Sequence, residues 1–127
     1  MLQQKYKSVL DLGQELNIQN GDVREEEGKL FVSGTAQTPY EKDLLWNEIK
    51  KVGGDEPTDI EASIEVADDS RYHTHTVERG DTLGHIAKRY YGKANKYPEI
   101  FEANRDILDD PNKIRRGQEL VIPIIEL

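Results

Sequence analysis

Residues 79–98 carry two helix starts and one firm stop, and these leave little freedom in how the surrounding chain can fold. After Arg79-Gly80-Asp81-Thr82 come Leu83, Ile86, Ala87 and Tyr90, the i, i+3, i+4, i+7 spacing of a helix with one buried face. Gly92 stops that helix, and Pro98 opens a second one with Tyr97, Ile100, Phe101 and Asn104 along one side. Residues 73–78 alternate as a strand ahead of this pair. Behind it, Leu120 and Ile122 alternate until Pro123 ends the run. The order is β-α-α-β, with the two strands free to pair antiparallel.

The first half reads differently. Tyr6, Val9, Leu10, Gly13 and Leu16 place residues 3–16 on an amphipathic helix. Asn20-Gly21-Asp22 signals a loop, and strands Val23–Glu27 and Lys29–Gly34 follow with Gly28 at their turn. Thr38-Pro39-Tyr40-Glu41 starts a helix: Thr38 caps it, Pro39 suits its first position and Glu41 can complete a capping box. Leu45, Ile49 and Val52 share its apolar stripe, and Gly53-Gly54 ends it. A strand from Asp59 to Val66 puts Ile60, Ala62, Ile64 and Val66 on one face. The expected architecture is thus α+β, an αββαβ layer followed by a βααβ unit.

Composition sets bounds on function. The chain has 127 residues, 35% hydrophobic and 33% charged, so any core must be small. It has no cysteine, which removes disulfides, thiolate nucleophiles and thiolate metal sites. Residues 1–70 hold seven Lys/Arg against sixteen Asp/Glu, a net of −9, whereas residues 71–127 hold ten against nine, a net of +1. Such an asymmetry argues for two domains, and the acidic half makes nucleic acid and anionic membranes poor partners. No apolar run resembles a signal peptide or a membrane span, so a cytoplasmic location is expected.

Few residues suggest chemistry. Asp81 and Thr82 are both expected to cap the helix that follows them. His73 and His75 are two apart in a strand and His85 lies in the next helix, with no third ligand at a recognised spacing, so a strand-edge role is expected. Glu25-Glu26-Glu27 reads as a solvated face. Asp106, Asp109 and Asp110 lack the glycine and closing glutamate of an EF-hand loop. No Ser-His-Asp order, phosphate loop or credibly spaced acid pair is present, so a binding protein rather than an enzyme is expected, with no cofactor and no side-chain metal site.

Three segments, "HTVERGDTLGHIAKRYYG", "YPEIFEANRDI" and "IRRGQELVIP", resemble the start, middle and end of a LysM domain. That resemblance implies binding of glycans containing N-acetylglucosamine, such as peptidoglycan, in a shallow groove. By position, its walls are Gly80, Asp81, Thr82 and Leu83 on one side and Asp106, Ile107 and Leu108 on the other. Two positions depart from the pattern: Arg105 stands where many LysM domains have proline after the asparagine, and Arg116 where many have proline before Gly-Gln. In the first half, "GKLFVSG", "TPYEKDLLWNEIKKVGG" and "IEASIEVAD" resemble a BON domain.

The expected organisation is a BON-like domain at 1–67, a linker at 68–74 and a LysM domain at 75–127. The pairing resembles a bacterial family of BON–LysM proteins, cytoplasmic and including a potassium-binding member. It implies a protein that binds or senses K⁺, and a monomer is expected. K⁺ has low charge density and suits a cage of backbone carbonyls, so no side-chain motif need mark its site. Binding of peptidoglycan-type glycan and a scaffold role without a small ligand are the alternatives.

Overall fold

Thr38 begins the best-defined element of the first half. Its extended backbone and its hydroxyl, which accepts the Glu41 amide at 3.4 Å, start helix α3 (Pro39–Gly53). In the computed structural model, which describes residues 1–126, the chain divides into two compact units, Met1–Asp69 and a second from Ser70 onward. Leu127, the last residue of the expected 75–127 domain, lies outside the described residues.

The first unit orders its elements as α1 (Leu2–Lys5), α2 (Lys7–Glu15), β1 (Gln19–Glu26), β2 (Lys29–Ala36), α3 and β3 (Ile60–Val66). Strand β1 pairs antiparallel with β2 through a two-residue turn in which Glu27 and Gly28 both have positive φ. Strand β3 pairs parallel with β2, so α3 is the crossover between them. Leu30 sits beside Ile60 in that register, and both join Tyr6, Val9, Leu45 and Ile49 in the core.

Three details differ from the sequence expectation. The helix expected over 3–16 is broken at Tyr6, whose side chain is fully buried and whose hydroxyl donates to Asp59. Lys5 also pairs with Asp59, so this carboxylate ties the chain's start to the entrance of β3. Strand β1 begins earlier than expected, at Gln19, because pairing with β2 continues past a register shift between Gln19 and Asp22. Finally, β2 runs on to Ala36 because parallel pairing with β3 extends to Ala36 and Val66. Gly34 permits the packing of β2 against the chain before β1: a Cβ there would collide with the Ile18 side chain.

The second unit contains β4 (His73–Thr76), α4 (Leu83–Tyr91), a 3₁₀ turn at Ala94–Lys96, α5 (Tyr97–Ala103) and β5 (Glu119–Ile122). This is the expected β-α-α-β order, with β4 and β5 antiparallel and His75 opposite Leu120. Gly92 takes the left-handed conformation that ends α4 and gives its amide to Lys88. The core gathers Leu83, Ile86, Ala87 and Tyr90 from α4, Ile100 from α5, and Leu120 and Ile122 from β5. Tyr91 donates its hydroxyl to the Pro123 carbonyl, so the end of α4 is fastened to the chain leaving β5.

Candidate functional site

The turn between β4 and α4 is built from reciprocal bonds. The Asp81 amide donates to the Glu78 carbonyl at 3.1 Å, and the Glu78 amide donates back to Asp81 Oδ2 at 2.9 Å. Gly80, with φ of 88°, supplies the left-handed residue this turn requires. Asp81 and Thr82 divide the labour that the sequence suggested they would share. Thr82 is the N-cap, accepting the His85 amide at 3.1 Å, whereas the Asp81 carboxylate faces back across the turn.

Behind Asp81 lies a buried histidine. His75 is 6% exposed, and its Nε2 is 2.9 Å from Asp81 Oδ2 while its Nδ1 is 2.8 Å from the Tyr90 hydroxyl. The strand-edge role expected for His75 is therefore corrected: its alternation with Val77 turns it to the core, where both ring nitrogens are bonded. The Glu78 amide, followed by the His75 side chain, holds the Asp81 carboxyl below the usual carboxylate range. His73, on the same side of β4, approaches the Tyr90 ring at 5.4 Å. Burial, and then the charges of His75 and Arg89, lower its pKa.

The second turn that the LysM resemblance points to follows α5. The Asn104 carbonyl accepts the amides of Ile107 and Leu108 at 3.0 and 2.9 Å, which curls residues 104–108 into a turn. Ile107 is 46% exposed, an apolar side chain offered to solvent, and Asp106 is exposed beside it. Of the positions the LysM resemblance points to, Gly80, Asp81, Thr82, Asp106 and Ile107 reach the surface. Leu83 and Leu108 do not: their side chains are in the core, leaving only their backbone to meet a ligand. Asp110 bonds the Asn112 amide within its own turn. Glu25, Glu26 and Glu27 are exposed, and no group of three or more metal-ligating side chains occurs among the described residues.

Each unit carries a hollow. One, of about 560 Å³, is lined by Thr76, Val77, Glu78, Arg79, Arg116 and Gly117, so Arg116 lies next to the turn that leads from β4 to α4. The other, of about 520 Å³, belongs to the first unit and is mainly apolar, with Val9, Gly13, Ile18, Val32, Gly34 and Ile64 around it. No helix among the described residues is long and apolar enough to cross a membrane.

Sequence reasoning did not identify His75 or Asn104 as buried polar anchors. For His75 the available signal was parity with Val77 along β4. For Asn104 it was its place on the apolar side of α5, where an amide needs partners.

Residues 75–123 match the LysM domain family, which makes the second unit a LysM binding module. The chain as a whole belongs to the family of the potassium binding protein Kbp: it is 37% identical over 109 residues to Kbp of Escherichia coli O6:H1, covering 85% of this chain and 68% of that protein. It is also 30% identical over 112 residues to an uncharacterized protein of Deinococcus radiodurans, which accounts for 80% of this chain and 44% of that protein.

Proposed function

We propose that this chain is a non-enzymatic, cytoplasmic, monomeric protein that binds or senses K⁺ through a BON–LysM pair. The observation that carries this reading is the extent of the likeness to Kbp. Its 109 aligned residues are more than twice the span of the LysM match, so the likeness is not that of a shared LysM module alone. The αββαβ order of the first unit supports its reading as a BON-like domain. The sixteen carboxylates of residues 1–70 favour cations over nucleic acid or anionic lipid. Backbone carbonyls are the expected ligands for K⁺, whose low charge density suits neutral oxygens.

Thermal unfolding followed in K⁺, Na⁺ and Mg²⁺ at matched ionic strength tests this. A ligand held only by the folded state stabilises it by mass action, about 2.7 kcal/mol when present at a hundred times its Kd. K⁺ is expected to raise the Tm well beyond the other two. Equal shifts for all three ions would overturn the reading.

A second reading, recognition of a glycan containing N-acetylglucosamine, is favoured by exposed Ile107 in the LysM unit. An apolar side chain there can cover an acetamido methyl while backbone groups pair with its amide. Retention of the intact protein on insoluble peptidoglycan, weakened by Ile107→Ala, is the expected result, and no retention would end it.

A further inference from the structure

We propose that His75 and Tyr90 are positioning residues that set the first wall of the LysM groove by holding the Asp81 carboxylate from behind. This inference rests on reading the 78–82 turn as part of a glycan site. The ionised Asp81 carboxylate can only accept, so His75 Nε2 carries the proton and donates to it. In the neutral imidazole Nδ1 is then the acceptor, and the Tyr90 hydroxyl, 2.8 Å away, donates to it. Tyr90 lies near the end of α4 while Asp81 lies just before its start, so the histidine links side chains from both ends of the helix and fixes the turn against it. The two aromatic rings meet edge-on, with centroids 5.5 Å apart.

The consequence falls on the backbone a ligand would meet. Asp81 Oδ2 accepts both His75 Nε2–H and the Glu78 amide, so one oxygen joins the core to the turn. When His75 is removed, that oxygen keeps the Glu78 amide alone and is free to rotate toward water. Gly80 and Thr82, flanking Asp81, then lose the fixed frame that presents them.

The test compares His75→Phe, Tyr90→Phe and Asp81→Asn with the parent chain by amide hydrogen exchange and by binding of tetra-N-acetylchitotetraose. In His75→Phe the Glu78 amide is expected to exchange roughly 10-fold faster, the loss of one charge-assisted bond. The Val121 amide, held by Asn104 elsewhere in the same unit, should change by less than about 2-fold, since its partners are untouched. Affinity for the tetrasaccharide is expected to fall by about 10-fold, and Asp81→Asn should cost less in the His75→Phe chain than in the parent, because the bond the two residues share is already gone. Tyr90→Phe, which removes a single hydroxyl, is expected to act in the same direction with a smaller effect, and it decides the matter if His75→Phe fails to fold. An unchanged Glu78 amide, or equal acceleration at Glu78 and Val121, would overturn the assignment. If the parent chain does not bind the tetrasaccharide, the glycan reading of the turn fails and with it the role of groove wall. The exchange data then still decide whether His75 holds the turn.

Discussion

Asn104 and Val121 exchange hydrogen bonds in both directions: the Val121 amide donates to Asn104 Oδ1 at 2.8 Å, and Asn104 Nδ2 donates to the Val121 carbonyl at 2.9 Å. The second Nδ2 hydrogen goes to the Ile100 carbonyl at 2.7 Å. A side chain 2% exposed thus clamps the end of α5 to β5 with every bond satisfied. Asn104→Leu keeps the branched outline of the side chain and removes all three bonds, leaving buried backbone groups without partners. At about 1 kcal/mol net for each bond, a loss of roughly 3 kcal/mol is expected in urea unfolding. Asn104→Asp should cost at least as much, because a carboxylate oxygen would then face two carbonyls. A loss below about 1 kcal/mol for either variant would contradict the clamp.

Gly34 makes a second prediction, in the first unit. A methyl group there meets the Ile18 side chain and lies 3.3 Å from the Gln19 carbonyl oxygen, in a strand paired on both sides. Gly34→Ala is expected to cost about 1–3 kcal/mol through overpacking. Because the main clash is with one side chain, Ile18→Ala in the same chain should recover part of that loss. Denaturant melts of the two single variants and the double variant give the coupling, and strict additivity would argue against the contact.

Local signals made much of this fold legible in the sequence. Thr38, Thr82 and Gly92 act within a few residues of themselves, and each marks a helix end where it was expected. What escaped depends on partners far along the chain. Tyr6 interrupts a helical stripe because Asp59 captures its hydroxyl. His75 and Asn104 are polar residues in a core because Tyr90 and Val121 meet them there. The two turns that the LysM resemblance points to, one before α4 and one after α5, were legible, but not which of their side chains reach water: Leu83 and Leu108 turned inward. A carbonyl cage for K⁺ leaves no mark on side-chain identity at all.

Acid should weaken the fold through Asp59 and Asp81. Hydrogen bonds from Lys5 and then Tyr6 lower the Asp59 pKa, and the Glu78 amide and then His75 lower that of Asp81. A carboxyl whose folded pKa is depressed contributes stability that is complete above its unfolded pKa of about 3.9 and is lost as pH falls through the lower, folded value. Asp59→Asn and Asp81→Asn are each expected to lower stability at pH 7 and to flatten its decline in that acid window. Urea midpoints measured from pH 7 down to pH 2.5 check this, and a variant whose acid decline is as steep as the parent's would refute the linkage for that residue.

His73 places a further pH dependence at milder acidity. Burial, reinforced by the charges of His75 and Arg89, favours its neutral form, so its pKa in the folded chain lies below the ordinary value. Between the unfolded pKa of about 6.5 and the lower folded one, the unfolded chain binds more protons, and stability falls as the pH drops. Above about pH 6.5 the histidine is neutral in both states and contributes no slope. His73→Gln cannot titrate, and the expected result is a shallower decline in stability from pH 7 to pH 5, a range in which Asp59 and Asp81 remain ionised. Unfolding free energies of the parent and the variant, measured at half-unit intervals over that range, give the comparison. Parallel curves would show that another group governs this window.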